Sequence, residues 1–151
     1  MLRSLVVAAV AGLALTGLAA GATQKGTYTL TANLKARSEV PKPTGVPAGA
    51  VGLFTGKAVE MANNKAKLTW RLTFSKLSGP AGAAHIHTGK PGVAGGVMLA
   101  LCGPCKSGLR GSATITHAQL AKIEAGGTYV NVHTAKNAGG EIRGQLKSSE
   151  G

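Results

Sequence analysis

Two histidines separated by one residue, His85 and His87, are the first residues whose spacing implies chemistry. In an extended strand, positions i and i+2 project from the same face. Both imidazoles then point one way, with Ile86 packed behind them. Neutral imidazole suits copper and zinc. A third ligand is offered by His133, in the run Tyr129-Val130-Asn131-Val132-His133. There Tyr129, Asn131 and His133 share one face and the two valines the other. Glu141, Arg143 and Gln145 alternate in the same way against Ile142 and Leu146. If these strands are neighbours, His85, His87 and His133 form half to all of a metal site. Asn131, Glu141 and Arg143 are then the groups behind the ligands that orient the imidazoles. The plainer alternative is a metal-free, hydrogen-bonded polar sheet face. The discriminating quantity is the separation of the imidazole nitrogens: about 3–4 Å suits a shared ion at bonds of about 2.0 Å. His117 opens a predicted helix in a polar stretch and reads as a solvated helix-end residue.

Cys102-Gly103-Pro104-Cys105 is the second constellation. It matches the thioredoxin-type redox motif, in which the reactive Cys lies at a helix N-terminus that lowers its pKa. Here a strand pattern precedes the motif, and Lys106-Ser107-Gly108 follows without helical periodicity. A structural disulfide between Cys102 and Cys105 is the expectation, with a redox or soft-metal role as the alternative. No catalytic residue is assigned. The five acidic residues are all Glu, so the chain holds no Ser-His-Asp set and poor material for a paired-carboxylate site.

The elements that must position these residues are strands. Apolar and polar residues alternate with period two over residues 28–34, 50–60 and 68–74. Pro41, Pro43, Gly45 and Pro47 mark an irregular crossing, and Asn63-Asn64 a turn. Gly79-Pro80 ends the third strand. Shorter strands follow at 83–87, 97–101, 111–115 and 128–134, and a last one at 141–147, with a frayed tail beyond Leu146. Thr116 caps one short helix near 117–123, which Gly126-Gly127 ends. The prediction is an all-β domain: an antiparallel, Greek-key-like β-sandwich or barrel of about seven or eight strands with that single helix.

The first residues carry a leader pattern. Met1-Leu2-Arg3 is a positive start, residues 5–18 are apolar, and Ala20-Gly21-Ala22 is a small-x-small cleavage site. Residues 1–22 are therefore expected to be a cleaved signal peptide, and residues 23–151 one domain with its core at about 26–147. An uncleaved anchor would want about 20 apolar residues. The expected location is secreted or periplasmic, with no transmembrane segment after cleavage. The formal charge is +12, or +11 without Arg3. Such a surface either contacts anionic cell-envelope polymers or is simply solvated. With one Trp, two Tyr and two Phe, the chain has no stacking platform for bases, which argues against specific nucleic-acid binding.

Four segments together resemble the CHRD domain, first described in chordin and common in secreted bacterial proteins. They are Ser38-Glu39-Val40-Pro41, Ala84-His85-Ile86-His87-Thr88-Gly89, Tyr129-Val130-Asn131-Val132-His133-Thr134 and Gly139-Gly140-Glu141-Ile142-Arg143-Gly144-Gln145-Leu146. The resemblance spans about residues 26–147. It implies an extracytoplasmic β-sandwich or barrel and little about activity. A fainter similarity links His85-x-His87, Val132-His133 and the stretch from Asn137 to Arg143 with the copper-site segments of copper-zinc superoxide dismutases. It implies His85, His87 and His133 as copper ligands and Arg143 as a guide for an anion. The chain departs from that pattern in lacking any Asp for a zinc site, a bridging His and a long-range disulfide. Three readings follow. The first is an exported CHRD-type binding domain holding a copper-type ion. The second is a metal-free structural or adhesive envelope domain with a basic surface. The third, least supported by the residues, is a dismutase-like redox enzyme.

Overall fold

A computed structural model of the protein describes residues 26–151, and the leader assignment lies outside them. Nine strands are present among these residues: β1 (Thr27–Lys35), β2 (Val51–Met61), β3 (Lys65–Ser75), β4 (Ala81–Thr88), β5 (Val97–Cys102), β6 (Leu109–Thr116), β7 (Thr128–Thr134), β8 (Ile142–Gln145) and β9 (Lys147–Glu150). One α-helix, α1 (His117–Glu124), precedes β7, and one 3-10 turn, Ala36–Ser38, follows β1. Thr116 caps α1 in a capping box with Gln119, as the sequence suggests.

The strands form one antiparallel sheet in the order β5-β4-β7-β8-β1-β2-β3-β6, with β9 added alongside β1. The two edge strands, β5 and β6, are consecutive in the chain and joined only by residues 103–108. A flat eight-strand path would be about 33 Å wide. That short connection reaches about 24 Å at full extension. The sheet must therefore curl, and it does so into a nearly closed barrel.

Period-two alternation fills the interior. Leu30, Ala32 and Leu34 of β1, Phe54 and Ala58 of β2, Leu68, Trp70 and Leu72 of β3, Ile86 of β4 and Val130 and Val132 of β7 belong to one buried cluster. Close approach is what makes small residues necessary here. A Cβ on Gly144 would lie 2.4 Å from the Asn33 carbonyl oxygen, so β8 can run against β1 only without one. The residues after Leu146 are not frayed: β9 pairs residue by residue with β1, from Thr31↔Lys147 to Tyr28↔Glu150. Unpaired backbone donors and acceptors on β1 make that strand a template for the tail.

Candidate metal centre

The histidines lie on the outer face of the sheet, because their strand neighbours take the inner one. Ala84 and Ile86 are fully buried in the core, which turns His85 and His87 outward. The register between β4 and β5 shifts at Ala84/His85 and again at Ile86/His87. Such bulges re-aim side chains. On the other side, β4 pairs with β7: Ala83↔His133, His85↔Asn131 and His87↔Tyr129. His133 is thus diagonal to His85 on the same face, a distance that long side chains bridge.

The three imidazoles converge. Each of His85, His87 and His133 offers one ring nitrogen, and these atoms lie within 4.8 Å of one another. His85 Nδ1 and His133 Nε2 are 3.1 Å apart. The tightest pair is therefore at the spacing a shared ion needs, while the set as a whole is open by about an ångström beyond it. Two backbone carbonyls fix the tautomers. His87 Nδ1 donates to the Gly95 carbonyl and His133 Nδ1 to the Ala138 carbonyl, each at 2.9 Å. A carbonyl can only accept, so both rings carry the proton on Nδ1 and present a lone pair on Nε2. His87 Nε2 is buried and has no hydrogen-bond partner. Burial lowers the pKa of His85 and of His133, and the charges of neighbouring imidazoles lower both further, outweighing the Ala138 hydrogen bond that raises His133. Both shifts favour the neutral ring, the form that binds a metal, at His85 and His133. They open into a hollow of about 560 Å³ whose remaining walls include Pro80, Ala83, Val97, Ala135 and Ala138.

The residue packed most directly on the imidazoles is Tyr129, to which the sequence assigns no role at the site. Tyr129 stacks on His87, with ring centroids 5.0 Å apart and planes 7° apart. Its hydroxyl accepts from the Gly95 N–H, so Tyr129 and His87 grip the same residue. The Arg143 guanidinium lies over the Tyr129 ring, 3.4 Å from its centroid, as a cation–π contact. Its Nη2 donates to the Lys90 and Val93 carbonyls. Arg143 is only 1% exposed and does not line the histidine hollow. Through its two carbonyl contacts this guanidinium clamps the β4–β5 loop, apart from the hollow towards which the dismutase similarity would have it guide an anion.

Glu141 makes no hydrogen bond to an imidazole among the described residues. Its carboxylate accepts from Ser78 N–H and Oγ, from Thr134 Oγ1 and from Asn137 Nδ2. Its influence on the site is indirect. Asn137 belongs to the turn after β7, held by Asn137 N–H to Thr134 O and Gly140 N–H to Asn137 O, and that turn presents the Ala138 carbonyl to His133. Asn131 is buried beside Glu39 rather than against a ring. The Cβ direction of Gly140, which meets both Glu39 Oε2 and Asn131 Nδ2, marks their contact. Glu39 was visible in the sequence only as part of a motif. Here it is 1% exposed, and burial pushes the pKa of its carboxyl group up despite the hydrogen bond from Val40 N–H and the charge of Arg143, while Oε2 is left without a hydrogen-bond partner.

Two remaining expectations concern other residues. His117 is half out in solvent and pairs with Glu60 at 2.9 Å, away from the cluster. Cys102 and Cys105 are joined in a disulfide. No helix among the described residues is long and apolar enough to cross a membrane.

Fold and cluster define a class: an antiparallel β-barrel domain carrying three convergent imidazoles on its outer face. The CHRD domain family model matches residues 30–146, and the chain belongs to that family. No curated protein and no solved structure matches it.

Proposed function

We propose that this chain is an exported CHRD-family binding domain that takes up a copper-type ion through His85, His87 and His133. The observation that carries the reading is the convergence of three imidazoles whose ring nitrogens lie within 4.8 Å of one another, two of them anchored through Nδ1 to backbone carbonyls so that Nε2 carries the lone pair. An orphaned buried acceptor such as His87 Nε2 is a deficit that a cation removes. The donor set is nitrogen only, which suits copper or zinc over magnesium or calcium. Three ligands leave a further coordination position open towards the hollow. Export is supported by the leader pattern of residues 1–22 and agrees with a disulfide-bonded cysteine pair.

The test is a titration of the protein with Cu(II) and with Zn(II), followed by calorimetry and, for copper, by its visible spectrum. One equivalent should bind. The His85→Ala/His87→Ala variant should bind at least tenfold more weakly, given that each lost ligand removes a metal–nitrogen bond. Equal affinity in the two proteins would refute the assignment.

A further inference from the structure

Outside the imidazole cluster, three cations meet around a second depression. Arg37 and Lys42 come from the crossing between β1 and β2, and Arg143 from β8. With Ser38, Pro91 and Gly92 they line a pocket of about 280 Å³. None of the three forms an ion pair, since the one side-chain pair among the described residues is His117–Glu60. Lys42 Nζ donates to the backbone carbonyl of Arg37, which keeps the two exposed cations at one mouth. Arg143 is buried behind them, and its Nη1 has no hydrogen-bond partner. Glu39 is the acid on which the Arg143 charge acts; it is buried, forms no ion pair with Arg143, and its Oε2 has no hydrogen-bond partner. Three cations facing a single buried carboxylate repel one another, and the Arg143 side chain that lines the pocket keeps one guanidinium nitrogen without an acceptor. A bound anion answers both.

We propose that this pocket is an oxyanion site for a phosphate-class dianion, free or carried as a phosphomonoester. Charge selects the class. Three cations over one buried carboxylate leave about two positive charges, and a phosphomonoester carries about −1.5 to −2 at neutral pH. Guanidinium forks match phosphate geometry, and a lysine adds a mobile point charge. The Ser38 hydroxyl, exposed at the same wall, is a further donor. The site stands apart from the histidine hollow and does not depend on the metal reading.

The experiment is a ¹H–¹⁵N titration of the protein with sodium phosphate at constant ionic strength, with sodium acetate as comparator. The expected result is saturable shifts confined to Arg37, Ser38, Lys42, Gly92 and their neighbours. Arg37→Gln/Lys42→Gln should weaken phosphate binding about tenfold or more, the loss of charge-assisted hydrogen bonds. Lys65→Gln/Lys67→Gln, which removes the same charge from β3, should leave it unchanged. Equal weakening by both double variants, acetate binding as tightly as phosphate, or shifts that spread without saturating would each overturn the site. A parallel arm uses phosphatidylcholine vesicles with and without phosphatidate. Capture by phosphatidate that Arg37→Gln/Lys42→Gln abolishes, alongside saturable phosphate binding, would support a lipid-borne phosphomonoester. Capture without saturable phosphate binding would replace the pocket with a diffuse basic surface.

Discussion

His85 Nδ1 and His133 Nε2 share one proton across 3.1 Å, and the Ala138 carbonyl decides which ring owns it. Because His133 donates from Nδ1, its Nε2 must accept, so the proton sits on His85 Nδ1. A metal ion at this point needs both lone pairs. An ion bound there through both nitrogens would replace that hydrogen bond, and the His85 proton would move to Nε2. Imidazole ¹⁵N spectra should show all three rings protonated on Nδ1 in the metal-free protein, and His85 alone switched after addition of Zn(II). His85 still protonated on Nδ1 in the zinc-loaded protein would show that it does not bind through Nδ1.

Tyr129→Phe separates positioning from stability. The ring stack on His87 and the Arg143 contact survive, while the hydrogen bond from Gly95 N–H is lost. The Gly95 carbonyl that orients His87 then loosens. Metal affinity should fall about tenfold, the usual scale for a group behind a ligand. Stability should fall by about 1 kcal/mol, that of one hydrogen bond. Calorimetric titration and urea denaturation measure the two. Unchanged affinity would mean that the stack alone fixes His87.

Glu141→Gln reports on the network beneath the turn after β7. Burial raises the carboxyl pKa, but hydrogen bonds from Ser78, Thr134 and Asn137 outweigh it, so the folded value lies below the ordinary one. A depressed carboxylate pKa stabilises the fold above the unfolded value of about 4.3, and that contribution is lost as pH falls through the folded pKa. Glu39, with its pKa raised by burial, acts in the opposite sense, so the difference between wild type and variant isolates Glu141. At pH 7 the variant should be about 2–3 kcal/mol less stable, the scale of a charged hydrogen-bonded group. The gap should narrow as the pH falls below about 4. A gap that stays constant from pH 7 to pH 3 would contradict the mechanism.

Two glycine substitutions test how tightly β8 lies on β1. Gly144→Ala drives a methyl group into the Asn33 backbone, at 2.4 Å from its oxygen. Neither strand can yield without losing its ladder, so the loss should reach about 3 kcal/mol or more. Gly79→Ala meets nothing within 4 Å and should change stability by less than about 0.5 kcal/mol. Thermal melts of the two variants that coincide would disprove the close approach.

Much of the fold was legible because it follows from alternation. Leu68, Trp70, Leu72 and Phe74 against Thr69, Arg71 and Thr73 admit one buried face, and β3 has it. Thr116 and Gln119 announce the start of α1 in the same local way. The three histidines were legible as ligand types with a shared face, since strand parity is a property of the chain alone. What holds them was not. The carbonyls of Gly95 and Ala138 carry no residue identity, and their positions depend on loops that fold against distant strands. Glu141 shares the parity of the site but spends its hydrogen-bonding capacity on Ser78, Thr134 and Asn137, and Asn131 is buried beside Glu39, neighbours fixed by tertiary packing. Arg143 reads in the sequence as a group behind the imidazoles or a guide for an anion. Only the burial of Tyr129 beneath it makes it a clamp. The ninth strand escaped notice because Lys147, Ser148, Ser149 and Glu150 have no apolar alternation, and only the open edge of β1 makes them a strand.

That last pairing has a topological result. The Gly151 N–H donates to the Thr27 carbonyl at 2.9 Å, so both ends of the described chain lie side by side. A short peptide joining them would turn the barrel into a continuous ring. New ends could then be opened at the exposed Asn63-Asn64 turn, leaving every rung of the sheet in place.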